Sequence, residues 1–306
     1  MKPISFTLLL LLTMISCTKE PEIQDSYLDG PVLFDASLYQ PDSFLLSSRT
    51  PLPTDLNKPV IIAGHGYSAS TFEWEEFQEF IDNTGSNVLL SRVLLGGHGR
   101  TYEDFRSSSW RDWQSALLEE YQLLKAQGYQ NISFAGSSTG CPLLLELIAG
   151  GDFKEESINH FFLIDPIIIP SSKILSLAPI VGPMLGYIEV DQSPEEDQYW
   201  YHFRPQETLQ ELDALINLVR QELQAGIQLP GSAKMKVYKA LRDNAADPAS
   251  AVLIQKGISP SNQFEVDMID TDHHVFTRLK LRENVSDADV ENQTNVFNEM
   301  VNKVQN

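Results

Sequence analysis

The chain has 306 residues, 42% hydrophobic and 21% charged, a composition that fits a globular protein and excludes a disordered one. With 22 Lys and Arg against 42 Asp and Glu, the formal net charge is −20. That balance argues against a nucleic-acid partner and against adhesion to anionic membrane surfaces. Cys17 and Cys141 are the only cysteines, too few for a disulfide framework or a thiolate metal site.

Residues 1–16 read as a signal peptide. Lys2 supplies the positive start, and the apolar run Ile4 to Ile15 is too short to span a bilayer comfortably. Met14-Ile15-Ser16-Cys17 resembles a bacterial lipoprotein cleavage box, which makes Cys17 the expected lipidation site. Residues 17–30 then read as a polar tether. The expected location is the cell envelope, at the outer membrane or surface of a Gram-negative bacterium, with membrane contact through the lipid alone.

Beyond the tether, strands and helices alternate. Val60 to Ala63 is a continuous apolar run ended by Gly-His-Gly, as a buried parallel strand requires. Phe72 to Asp82 has helical spacing, and Asn87 to Val93 is a second strand. Ser109 to Lys125 is a helix, Asn131 to Ala135 a strand, and Leu143 to Ile148 a helix apolar all round. His160 to Ile169, Lys236 to Leu241 and Phe264 to Ile269 complete the strands. This alternation predicts a mostly parallel α/β sheet with helices on both faces, over residues 31–169 and 234–306. Residues 170–233 interrupt it without a convincing strand. They hold several prolines, the acidic stretch Glu195-Glu196-Asp197, the aromatic knot Tyr199 to Phe203 and a helix over Thr208 to Leu223. This insertion reads as a helical lid over the strand ends.

Gly136-Ser137-Ser138-Thr139-Gly140 matches Gly-x-Ser-x-Gly. The string alone is weak, but a strand ends just before it and a helix begins just after it. A sharp strand-to-helix turn exposes the central serine and needs small neighbours. Serine becomes a nucleophile only when a base takes its proton. Of the six histidines, His273 and His274 directly follow the last predicted strand, where open α/β sheets place their ligands. The base is therefore expected from this pair. The acid that orients it is expected to be Asp243, free on the loop after the preceding strand. Asp247 precedes Pro248 and has a helix-capping role to fill. Asp165, at the end of the fourth strand, is the rival, with Asp247, Asp270 and Asp272 behind it.

Strand-Gly-x-Ser-x-Gly-helix in the order Ser138, Asp243, His274 resembles the α/β-hydrolase superfamily over roughly residues 55 to 305. His65-Gly66-Tyr67 is similar to the early His-Gly turn of that family, and Gly97-His98-Gly99 to the turn of its lipases and esterases. Asp112-Trp113, the lid from Tyr201 to Leu223, and His274-Val275-Phe276-Thr277 resemble bacterial carboxylesterases and monoacylglycerol lipases. The last match favours His274 over His273. The resemblance implies an oxyanion hole made by the backbone N–H groups of Thr139 and Tyr67. Two departures stand out. Ser137 sits where a larger residue is common, and the usual glycine before the acid loop is missing from Ala240-Leu241-Arg242-Asp243.

The resemblance implies a serine esterase with no metal or organic cofactor, a small-molecule ester substrate and no protein partner. Apolar lid residues, Met184 and Trp200 among them, are expected to line an acyl pocket for a neutral short- or medium-chain ester or a monoacylglycerol. The acidic stretch is expected to repel anionic substrates. A peptidase or amidase on the same residues is the alternative, and a non-catalytic surface-binding lipoprotein is the alternative from another class.

Overall fold

A computed structural model describes residues 41–171, 186–190, 192, 193 and 195–306. The signal, lipidation and tether readings, Cys17 and Met184 all lie outside the described residues. In chain order the elements begin with β1 (Val60–Gly64), α1 (Glu75–Thr84), β2 (Leu89–Val93), α2 (Tyr102–Ser107) and α3 (Trp110–Gln127). Then come β3 (Ile132–Ser137), α4 (Gly140–Gly150), β4 (Ile158–Ile164), β5 (Tyr187–Glu189), β6 (Phe203–Pro205) and α5 (Gln206–Ala225). The last are β7 (Ile227–Gln228), β8 (Lys234–Ala240), α6 (Ala249–Gly257), β9 (Ile258–Ser259), β10 (Phe264–Ile269) and α7 (Asp287–Gln305).

Six strands form one parallel sheet in the order β10-β8-β4-β3-β1-β2. Successive side chains point to opposite faces, so a strand buried on both sides must be apolar throughout. In β1, Val60 and Ile62 enter one core cluster with Trp113 and Leu117 of α3 and Leu143 and Leu144 of α4. Ile61 and Ala63 enter a second cluster with Phe77 and Ile81 of α1 and Phe297 and Met300 of α7. Helices therefore cover both faces, as the sequence pattern predicts.

Local signals set the helix ends. Ser109 and Asp112 form a reciprocal capping box at the start of α3, and Gly128, with φ 99°, ends it in the left-handed conformation. The sequence reading needs three corrections. The fourth strand stops at Ile164 rather than Ile169, because Asp165 turns the chain at φ +47°. The insertion is not free of strands: β5 and β6 pair antiparallel, and β7 pairs with β9. Helix α6 starts at Ala249, one residue later than a proline at its first position would place it. Pro248 rather than Asp247 is therefore the N-cap, and Asp247, one residue before it, accepts from the Ala249 N–H at 2.8 Å.

Helix α5 lies within the insertion yet buries Leu212, Leu215, Ile216 and Val219 in the main core cluster, together with Phe134 of the central strand. No helix among the described residues is long and apolar enough to cross a membrane.

Candidate active site

The turn between β3 and α4 is sterically determined. A Cβ on Gly136 would lie 2.7 Å from the Gly140 backbone, and a Cβ on Gly140 would lie 2.6 Å from the Gly64 carbonyl oxygen. Only glycine allows β1, β3 and α4 to approach this closely. Ser138 takes φ +47°, a left-handed conformation that is costly for a non-glycine residue and recurs at functional turns. Its hydroxyl faces the cavity, and Ser137 donates its own hydroxyl to Glu73, which lines the same cavity.

His274 reaches the serine from the loop after β10. Its Nε2 accepts from Ser138 Oγ at 2.9 Å, and its Nδ1–H donates to Asp243 Oδ2 at 2.7 Å. The other carboxylate oxygen, Oδ1, accepts from the Ala245 and Ala246 N–H groups at 2.7 and 2.9 Å. Burial would raise the Asp243 carboxyl, but the hydrogen bond and charge of His274, with the Lys239 ammonium, outweigh it and hold the group well below the usual carboxylate range. The structure thus brings Ser138, His274 and Asp243 into one hydrogen-bonded chain.

The rival residues are engaged elsewhere. His273 turns away, its Nε2 3.6 Å from Asp289. Asp165 accepts from the Ala240 and Phe276 N–H groups and from Lys239, not from a histidine. Asp270 pairs with Arg242, and Asp272 is exposed. Tyr67 and Thr139 line the same cavity as Ser138, and their backbone N–H groups have no hydrogen-bond partner among the described residues.

The two Gly-His-Gly turns act as neutral struts. His65 Nε2 accepts from the Leu95 N–H at 3.1 Å, and its Nδ1–H donates to the Gly66 carbonyl at 2.8 Å. His98 Nε2 accepts from the Ser68 N–H at 3.2 Å. Burial lowers His65 to about 4, against the opposing influence of Glu73, and lowers His98 well below its ordinary value. Both rings are thus uncharged acceptors near neutrality, tying the loop that carries Tyr67 to the loop after β2.

The cavity is about 400 Å³, with Trp200, Leu209, Leu212 and Ile167 on its walls beside Ser138 and His274. Trp200 is buried, edge-on to Phe72, with the Arg278 guanidinium 4.3 Å over its ring. The acidic stretch is partly neutralised: Glu196 pairs with Arg278 at 3.2 Å, and Asp197 bonds His202 at 3.1 Å. Arg282, which also lines the cavity, donates to the carbonyls of Arg278 and His274 and braces the histidine loop.

Sequence reasoning missed Glu73, Lys239 and Arg282. Lys239 carried a readable signal, since like Lys236 it is a charged residue among the apolar residues of one strand. Asp165, Asp243 and His274 bring donor atoms within 4.8 Å of one another, a spacing that also suits a metal ion. The Lys239 ammonium bonds both carboxylates, which makes this a poor place for a second cation.

No protein-family profile matches the chain. It is similar to the thermostable monoacylglycerol lipase of Bacillus sp. (strain H-257), 26% identical over 244 residues, covering 76% of this chain and 89% of that one. A shorter stretch of 110 residues is 32% identical to anhydro-N-acetylmuramic acid kinase of Prochlorococcus marinus but spans only 28% of that kinase. Among solved structures it superimposes on a metagenome-derived lipolytic enzyme with TM-score 0.63 at 18% identity, covering 81% of this chain and 94% of that one. It also superimposes on the monoglyceride lipase of Saccharomyces cerevisiae with TM-score 0.64 at 14% identity, covering 84% and 88%. The chain has the α/β-hydrolase fold.

Proposed function

We propose that this protein is a serine hydrolase of the lipase and esterase type that cleaves a carboxylic ester through an acyl-enzyme. The observation that carries the reading is the unbroken hydrogen-bond chain from Ser138 through His274 to Asp243, set on a strained turn that opens into a cavity. Ser138 attacks the ester carbonyl while His274 takes its proton. Asp243 holds the imidazole with Nε2 toward the serine and stabilises the imidazolium. The N–H groups of Thr139 and Tyr67 receive the developing oxyanion, usually the largest single contribution to such a reaction. His274 then protonates the leaving alcohol, and water releases the acid by the same route in reverse. The likeness to a monoacylglycerol lipase over most of the chain supports this reaction class.

The substrate we infer is a neutral short- or medium-chain ester or a monoacylglycerol. Apolar walls at Trp200, Leu209 and Leu212 support an acyl chain in the cavity. Export and a lipid anchor at Cys17 belong to the same proposal and rest on the N-terminal sequence.

Labelling by a fluorophosphonate probe tests the reading in one step. Labelling of the wild type that disappears in Ser138→Ala, together with turnover of p-nitrophenyl butyrate, is the expected result. An unlabelled wild type would overturn it.

A further inference from the structure

Behind Asp243 lies a charge cluster that the proposed reaction does not use. Lys239, the penultimate residue of β8, has no exposed surface and donates to Asp243 Oδ2 and, at 3.0 Å, to Asp165 Oδ1. Both carboxylate side chains are equally buried. Asp165 ties β8 to the histidine loop: its Oδ1 accepts from the Ala240 N–H at 2.7 Å, its own N–H donates to the Tyr238 carbonyl at 2.9 Å, and its Oδ2 accepts from the Phe276 N–H at 3.1 Å. Phe276 lies two residues past His274 and Ala240 three residues before Asp243, so Asp165 links the histidine loop to the acid loop.

The charges add up simply. An ammonium on the carboxylate oxygen that faces His274 would cancel the negative charge that stabilises an imidazolium. Asp165 supplies a second carboxylate to that ammonium. With all three groups ionised the trio carries one net negative charge, the same as a lone aspartate; burial raises the Asp165 carboxyl, and the Lys239 ammonium and the Ala240 N–H oppose that rise. Other charged or titratable groups near it are Arg282, which donates to the His274 carbonyl, with Arg278 and Glu73 beyond it, and the buried Cys141 on α4.

We propose that Lys239 and Asp165 are positioning residues for the catalytic acid: Lys239 fixes Asp243 Oδ2 against His274 Nδ1, and Asp165 neutralises Lys239 so that the imidazole still faces one negative charge. The inference rests on the serine-hydrolase reading for its consequence and on the buried ion cluster for its geometry.

The test compares wild type, Asp165→Asn and the double variant Asp165→Asn/Lys239→Met, with ¹⁵N NMR titration of the His274 ring and the pH profile of kcat/KM as readouts. In Asp165→Asn the trio falls to zero net charge. The His274 titration and the acid limb should move down together by about one pH unit, and kcat should drop about tenfold with KM little changed. In the double variant Asp243 alone restores the single negative charge. The titration should return to within a few tenths of a unit of the wild type, and part of kcat should return with it. A merely structural ion cluster gives the opposite order, with the double variant the worse enzyme and no change in the titration. An unmoved titration in Asp165→Asn, or a double variant that fails to return, overturns the proposal. If neither variant folds, the ¹⁵Nζ signal of Lys239 in the wild type decides, because a neutral amine at pH 7 overturns it and a charged one sustains it. The ring titration needs no turnover, so a wild type that fluorophosphonate does not label would end the serine-hydrolase reading without deciding this one.

Discussion

Ser137 and Ser138 are neighbours whose hydroxyls engage different partners. Ser137 donates to Glu73, which also accepts from the Gly66 N–H at 2.9 Å, while Ser138 donates to His274. Glu73 thereby braces the loop of Tyr67 against the turn of the nucleophile.

Ser138→Ala should therefore lower ester-hydrolysis kcat by about 10⁴–10⁶, the loss that accompanies removal of a triad serine. Ser137→Ala should keep most of the turnover but unfold more easily, because the buried Glu73 carboxylate loses a donor worth about 1–3 kcal/mol. Steady-state kinetics and thermal melts on both variants check this. A dead Ser137→Ala beside an active Ser138→Ala would shift the motif by one residue.

The two adjacent histidines should separate just as cleanly. His274→Ala is expected to be folded and nearly inactive, whereas His273→Ala, which loses only a long contact to Asp289, keeps substantial activity. Asp243→Asn should cost on the order of 10³–10⁴ in kcat by presenting the wrong tautomer. A heavier loss in Asp165→Asn than in Asp243→Asn would move the acid to the earlier strand.

Much of this arrangement was legible in the sequence, for physical reasons that differ between elements. The central strands announce themselves because burial on both faces demands unbroken apolar runs, as in Val60 to Ala63. The nucleophile turn shows because only glycine fits at 136 and 140. The short pair β5 and β6 left no signal, since three residues are too few to display a period of two. The role of Asp165 was hidden for another reason. Its partners lie 74, 75 and 111 residues away, and pairings at that distance leave no local pattern.

Glu222 on α5 gives a pH dependence unrelated to catalysis. Burial, with repulsion from Glu146, pushes its carboxyl from 4.5 up to about 7. The folded state then holds a proton that the unfolded chain has already released, so stability falls as pH rises from about 4.5 to about 7 and stays lower above that. Glu222→Gln removes the ionisation. Its Tm should match that of the wild type at pH 4 and exceed it at pH 8. Equal Tm values at both pH values would show that Glu222 ionises freely in the folded protein.

Lipidation at Cys17 predicts a change of fractionation. A single myristoyl-length chain holds a protein only marginally, so a diacyl or triacyl cysteine is what would retain so acidic a chain at a membrane. Cys17→Ser should appear in the soluble fraction or accumulate as an uncleaved precursor. A cleaved Cys17→Ser protein that still sediments with membranes would rule out this anchor.

Substrate length is the sharpest question for the cavity. Each buried CH₂ contributes about 0.8 kcal/mol, so six further carbons add up to ~5 kcal/mol if the pocket accepts them. Trp200 forms part of the wall and is itself held edge-on by Phe72 and capped by Arg278. Such a braced ring is a fixed surface for an acyl chain, and Trp200→Ala would open the pocket while removing the ring under Arg278, which keeps its pair with Glu196. Measuring kcat/KM on p-nitrophenyl esters from two to sixteen carbons should therefore show a rise toward intermediate chains and then a fall as the roughly 400 Å³ cavity is filled. In Trp200→Ala that rise should flatten, with the loss concentrated in the longer esters and acetate turnover largely kept. A wild type that prefers acetate, indifferent to Trp200→Ala, would mean that the aromatic wall packs against the protein itself, and would direct the search to small acetyl esters.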